Sequence, residues 1–175
     1  MVMETESVIE RAIRSAQKIV ANPRPPMSEM EGRAHALALV DKSEIAMVGS
    51  LGEAGYPNIK AMFKVESDSH FSVWLSTNTS SRRVGQFKRD PRACVYFYDP
   101  QRIAGLLLVG DIEIVSDPES RRRLWRVGWE AYYPQGATDP EYCVLKFLPS
   151  IGNYYNGLQN IDFQLRDFDG PVRKD

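Results

Sequence analysis

From Glu44 onward the chain is written in short apolar runs separated by turn residues, and that punctuation limits the possible folds more than any other feature. Residues 44–51 form a compact apolar run, Gly52-Glu53-Ala54-Gly55 supplies a turn, and residues 56–66 continue extended. Ser67-Asp68-Ser69 turns the chain into residues 71–76, where Phe71, Val73 and Leu75 alternate with Ser72, Trp74 and Ser76. Residues 93–98 and 106–115 are β-branched and aromatic enough to be buried strands. Residues 142–148 and 161–168 read as closing strands, with a frayed tail from Gly170. Strands that follow one another at hairpin distance, with few crossovers, predict an antiparallel barrel rather than a parallel doubly wound sheet.

Helices frame this β region. Residues 7–20 carry Val8, Ile9, Ala12, Ile13, Ala16, Ile19 and Val20 on one stripe, and Asn22-Pro23-Arg24-Pro25-Pro26 ends that helix. Ser28 with Glu31 three residues on is a capping box and opens a second helix to about Val40. A short helix covers residues 81–89, closed by Asp90-Pro91. A longer one starts at Asp117-Pro118 and runs to about Ala131. Trp125 and Trp129 then share a helix face, and with Tyr132 and Tyr133 they read as core or dimer packing rather than as a cofactor cover. The expected architecture is a single α+β domain over residues 1–175. Its N-terminal helices occupy residues 1–40, an antiparallel, Greek-key-like barrel with peripheral helices residues 41–168, and a tail residues 169–175.

A net charge of −1 removes the basic excess that a general nucleic-acid binder needs. Positive charge is local, in Arg82-Arg83 and in Arg121-Arg122-Arg123, the latter read as a solvated helix face. No apolar run is long enough to span a bilayer, and the polar N-terminus lacks a signal peptide's apolar core, so a cytoplasmic protein that acts on no membrane is expected. Cys94 and Cys143 sit far apart in apolar runs, as reduced core cysteines do, and His35 and His70 share no ligand spacing, so no metal site is expected. Asp111 and Glu113 alternate on one strand, where a structural role is preferred to acid–base work. No nucleophile triad and no Gly-rich nucleotide fingerprint is present.

One constellation does carry chemistry. Trp74-Leu75-Ser76-Thr77-Asn78-Thr79-Ser80-Ser81-Arg82-Arg83 takes a strand into a hydroxyl-rich turn that opens a helix with two arginines in its first turn. Free N–H groups and the positive dipole end attract a phosphate there, and the arginines add charge-assisted donors. Lys60, on the neighbouring strand, is within reach of the same anion. The plain alternative is a Ser-capped helix with solvated arginines.

At these residues the chain resembles the pyridoxamine 5′-phosphate oxidase-like superfamily of split-barrel flavin proteins, and among them the small general-stress-protein-like members. The pattern spans residues 37–168. It comprises Pro57-x-x-Lys60-x-Met62, Ser76-Thr77-Asn78-x-x-Ser81-Arg82-Arg83, Asp90-Pro91-Arg92-Ala93-Cys94-Val95, Leu108-Val109-Gly110-Asp111-Ile112-Glu113 and Asp139-Pro140-Glu141-Tyr142-x-Val144-Leu145. The resemblance implies FMN at a homodimer interface, its phosphate held by Lys60, Ser81, Arg82 and Arg83. The backbone at Ala61 and Met62 and the Ser76-Thr77 pair would lie along the ring and ribityl chain, and Tyr155 would approach from the partner subunit. Lys60 replaces the family's usual Arg, turning a two-point phosphate fork into a point charge. The C-terminal Arg-x-His signature of true pyridoxamine phosphate oxidases is missing, with Asn153-Tyr154-Tyr155-Asn156-Gly157 in its place, so vitamin B6 oxidation is not implied. The expected activity is a flavin-dependent oxidation or reduction of an unidentified small molecule. The alternatives are a non-catalytic flavin- or haem-binding carrier or sensor, and a deazaflavin in place of FMN.

Overall fold

In the computed structural model, which describes residues 7–22 and 25–166, seven antiparallel strands follow two helices. They are β1 (Ile45–Leu51), β2 (Pro57–Ser67), β3 (Val73–Asn78), β4 (Arg92–Asp99), β5 (Ala104–Val115), β6 (Tyr142–Asn156) and β7 (Gln159–Gln164). The sheet order is β3-β2-β1-β4-β5-β6-β7, and β3 pairs again with β6 to shut a six-stranded barrel with β7 outside it. β4 returns to lie beside β1 after the β1-β2-β3 meander, which is the Greek-key arrangement.

The strand alternation decides what fills the barrel. Val48, Met62, Leu75, Val95, Leu108 and Leu145 point inward and are almost fully buried. Helix α1 (Val8–Ala21) and helix α2 (Glu29–Lys42) both start with reciprocal capping boxes, Ser7 with Glu10 and Ser28 with Glu31. α2 lays Ala36, Leu39 and Val40 into the barrel core, whereas α1 buries none of its residues. Helix α3 (Arg82–Arg89) adds Val84 and Phe87 to the core, and Gln86 meets Ser50 of β1 at 2.7 Å. A second, aromatic core lies outside the barrel, where Tyr142 and Val144 of β6 pack with Leu124, Tyr133, Trp74, Trp125 and Trp129.

Several sequence expectations are revised. The helix opened by Asp117, α4 (Pro118–Leu124), ends seven residues early, so Trp125 and Trp129 do not share a helix face. Tertiary partners override helix propensity there. The Trp125 ring stands edge-on to Tyr142 at 5.1 Å, Arg126 donates to the Val65 carbonyl at 2.9 Å, and Gly128 turns the chain at φ 95°. The two tryptophans still meet, at 5.8 Å, across that turn. Of Arg121-Arg122-Arg123 only Arg121 leaves the solvated face, while Arg122 and Arg123 are exposed. Arg121 donates to the carbonyls of Asp139 and Tyr142, and Arg123 is paired with Glu66 and lies over Trp74.

Phe71 precedes β3 rather than starting it, held in a left-handed turn at φ 63°. β6 continues past Leu148 to Asn156, because Pro149-Ser150 is absorbed by a shift in register opposite Val109 and Gly110. Gly110 is required there, since a Cβ on it would sit 2.1 Å from the Leu148 carbonyl oxygen. Cys143 lies in the core as expected, but Cys94 is only half-buried, and the two thiols are free. β7 starts two residues before the expected strand over 161–168 and ends at Gln164, where residues 165–166 bend away; the tail from residue 169 lies outside the described residues.

Candidate functional site

β2 and β3 pair only through Ser67 with Val73, Glu66 with Trp74 and Lys64 with Leu75, the last two separated by a bulge. Beyond Lys64 the strands part. Ser76, Thr77 and Asn78 are laddered only to β6, and residues 57–63 only to β1, so each strand presents one free edge to the gap. The gap is a cleft of about 250 Å³. Ala61, Met62 and Phe63 form one wall, Ser76, Thr77 and Asn78 the other, and Trp129, Tyr132 and Tyr133 the aromatic end.

Arg83 also lines the cleft. Its Nη1 donates to Thr77 Oγ1 at 3.0 Å, and Thr77 Oγ1 donates in turn to Ser81 Oγ at 3.3 Å. Burial presses the Arg83 guanidinium below its ordinary pKa, yet no carboxylate among the described residues neutralises it. Ser81 stands at the N-cap of α3, but its hydroxyl makes no capping bond. The N–H groups of Arg82 and Arg83 therefore remain without a partner within the helix, as first-turn donors do unless a cap or ligand takes them. Ser80 is already engaged, since Glu141 accepts from its hydroxyl at 2.6 Å and from its N–H at 3.3 Å. An anion at this helix end would thus meet Ser81, Arg82 and Arg83 rather than Ser80.

Of the residues expected from sequence, Ala61, Met62, Ser76, Thr77 and Arg83 line one cleft, with Ser81 directly behind Thr77. Lys60 and Arg82 are exposed and do not line it. Lys60 sits opposite Val48, on the face of β2 that carries Met62, and has no carboxylate partner among the described residues. Tyr155 does not line it either. It lies on β6 opposite Gly105, its hydroxyl 2.9 Å from that of Tyr96. Within one chain it is no part of the site, because the alternation of β6 turns it to the outer face of β4 and β5.

Sequence reasoning missed Phe63 and assigned Trp129, Tyr132 and Tyr133 to packing. Tyr133 does pack, and burial raises its pKa, but its hydroxyl also donates to Asn78 Oδ1 at 3.2 Å and fixes that wall. The available signal was the aromatic cluster itself, which no spacing linked to strands more than fifty residues upstream.

The cleft opens onto an apolar sheet face. Ile45 and Met47 of β1, Ile59 and Phe63 of β2 and Tyr98 of β4 are 41–68% exposed on the outside of the barrel. Phe63 belongs to this face and to the cleft wall alike.

The pyridoxamine 5′-phosphate oxidase family matches the chain over residues 33–155. The chain belongs to that family. Among solved structures it is similar to a Clostridium acetobutylicum protein described as related to general stress protein 26 of B. subtilis (pyridoxinephosphate oxidase family). The identity there is 47%, over 79% of this chain and 96% of that one, with a TM-score of 0.71. General stress protein 26 from Bacillus anthracis shares the fold at 14% identity, 75% and 98% coverage and TM-score 0.63. A heme binding protein from Mycobacterium smegmatis shares it at 16% identity, 81% and 59% coverage and TM-score 0.62. No curated protein matches the sequence. Among the described residues no helix is long and apolar enough to cross a membrane.

Proposed function

We propose that the cleft between β2 and β3 binds FMN and that a second copy of the chain completes it, making the protein a flavin-dependent oxidoreductase of a small molecule. The observation that carries this reading is Arg83, a half-buried cation without a counter-ion, fixed by Thr77 at a helix end whose first N–H groups are unpaired. That combination suits a dianionic phosphate. The free strand edges at Ala61–Met62 and Ser76–Thr77 suit the polar rim of a planar ring, and Met62, Phe63, Trp129 and Tyr132 suit its apolar surface. The cleft is smaller than the roughly 300–1,000 Å³ of a closed small-molecule site, and the apolar face beside it supports a second wall from a partner subunit.

Among the described residues, no Asp, Glu, His or Cys lines the cleft. FMN supplies hydride or electron transfer when bound, with a nicotinamide as the natural donor for a reductase, while the chain binds, orients and excludes water. Haem is the weaker reading, because His35 and His70 are exposed and away from the cleft, which leaves no histidine to serve as axial ligand. Titration of purified protein with FMN, followed by flavin fluorescence and by sedimentation, tests the proposal. Saturable binding to a dimer is expected. A protein that takes up haem but not FMN would overturn it, and one that binds FMN but never exchanges electrons with any donor would leave a carrier.

A further inference from the structure

β2 and β3 part at a bulge. Glu66 pairs with Trp74 and Lys64 with Leu75, so Val65 is the extra residue between them. A bulged residue drops out of the ladder and bends its strand, a device often found beside functional sites. The Val65 carbonyl accepts instead from Arg126 Nη2 at 2.9 Å. The Lys64 N–H turns the other way and donates to the Glu44 carbonyl at 2.8 Å, so the strand beyond the bulge is held toward β1 and away from β3.

Arg126 is also the first link in a run of hydrogen bonds that crosses the gap. Its backbone carbonyl accepts from the Trp129 N–H at 3.2 Å, and the Trp129 carbonyl accepts from the N–H groups of Tyr132 and Tyr133, each at 2.9 Å. The Tyr133 hydroxyl then donates to Asn78 Oδ1, on β3, at 3.2 Å. Residues 126–133 thus run from one bank of the open seam to the other, and they carry Trp129, Tyr132 and Tyr133, the aromatic end of the cleft. Packing does not hold the first part of this segment. Val127 is 96% exposed, and Gly128 turns at φ 95° with no side chain to fix it. Its placement depends on the Arg126 guanidinium, which does not itself line the cleft. Besides Val65, that group donates from Nη1 to the carbonyls of Arg123 at 3.4 Å and Trp125 at 3.2 Å, so one planar fork ties the end of α4 to the bulge.

We infer that Arg126 is a positioning residue: by clamping the loop to the bulge at Val65, it sets the separation between the aromatic end of the cleft and the Ala61–Phe63 wall. This rests on the FMN site proposed above. A planar ring binds tightly between two surfaces only when they are already correctly spaced, so an exposed arginine outside the cleft controls affinity within it.

The test uses the full chain and three variants, Arg126→Ala, Arg126→Lys and Arg122→Ala. Arg122 is an exposed arginine of α4, and its loss removes the same charge without touching the clamp. Calorimetric titration with FMN should show binding weakened several-fold in Arg126→Ala, largely restored in Arg126→Lys, which still offers the Val65 carbonyl a charged donor, and close to wild type in Arg122→Ala. The visible circular dichroism of bound FMN should change in Arg126→Ala alone. Hydrogen exchange of the free protein should be faster at the Trp129, Tyr132 and Tyr133 amides of Arg126→Ala and unchanged along β5 and β6. An Arg126→Ala variant that binds FMN as tightly as the wild type, with the same dichroism, would overturn the positioning role and leave the site intact. Equal weakening in Arg122→Ala would overturn it too, assigning the effect to lost charge, and so would exchange rates that Arg126→Ala leaves untouched. A wild type that takes up no FMN would instead remove the site itself, and the role with it.

Discussion

The barrel has two seams of opposite character. Along β5 and β6 pairing runs from Ala104 with Asn156 to Val115 with Val144, interrupted only by the register shift at Gly110. Along β2 and β3 it covers one end, and the rest of the seam is open. Both were built from similar apolar alternation, so the difference does not lie in hydrophobicity. The closed seam absorbs its one irregularity with a glycine and a proline, and beside it Arg166 bridges Asp111 and Ser150. The open seam keeps free strand edges, an arginine without a carboxylate partner among the described residues, and aromatic surface. The proposed function uses the place where the sheet leaves its strand edges unpaired.

The contrast is easiest to break at Gly110. Gly110→Ala places a methyl against the Leu148 backbone, and a loss of ~3 kcal/mol in urea unfolding is expected, whereas Ala61→Val at the exposed open edge should change stability by less than about 0.5 kcal/mol. Comparable losses at both sites would erase the distinction between the seams. The next largest effect concerns ligand. Arg83→Ala should weaken FMN binding by about 1.5–3 kcal/mol in a calorimetric titration, Arg82→Ala by less because its side chain is exposed, and neither should much alter the melting temperature of the free protein. Unchanged FMN affinity in Arg83→Ala would leave the open seam without a ligand role. Lys60→Arg should match or exceed wild-type affinity, since a planar fork suits phosphate better than a point charge, and Lys60→Met should reduce it.

Smaller effects sharpen the picture on either side. The Tyr142 hydroxyl is buried without a hydrogen-bond partner in the aromatic cluster that backs the cleft, and burial pushes its pKa up to about 12. Tyr142→Phe should therefore raise stability by about 1 kcal/mol, read as a higher urea midpoint, and a marked loss would mean the hydroxyl has a role the geometry does not reveal. The smallest effect lies at Asp90, where α3 joins β4. The Arg92 guanidinium, 2.6 Å away, holds its carboxyl down to about 2. A carboxyl depressed on folding stabilises above its unfolded pKa, near 3.9, and loses that contribution as pH falls through 3.9 toward 2. The urea midpoints of wild type and Asp90→Asn should thus differ slightly at pH 6 and draw together as the pH falls to about 2.

Most of the frame was legible because it is local. Capping residues located α2, turn residues located the hairpins, a compact apolar run located β1, period-two alternation located β3, and β-branched and aromatic content located β4 and β5. What was not legible depended on partners distant in sequence. Pro149 reads as the end of a strand until Gly110, on the neighbouring strand, makes room for it. Residues 125–131 read as helix until Tyr142 and Val65 draw them away. The same holds for the site: its Ser76–Arg83 side is one continuous segment, while the aromatic end comes from a loop that nothing in the local pattern connects to it.

The pairing of β3 with β6 carries a consequence in time. Val73 meets Phe147 and Asn78 meets Tyr142, across more than a third of the chain. Closing a loop of that length is slow and comes after local hairpins have formed. A ribosome must have released most of the protein before the far wall of the cleft exists. A cofactor that needs both walls cannot guide early folding; it can only hold shut a barrel already made, lengthening the life of the finished molecule rather than hastening its birth.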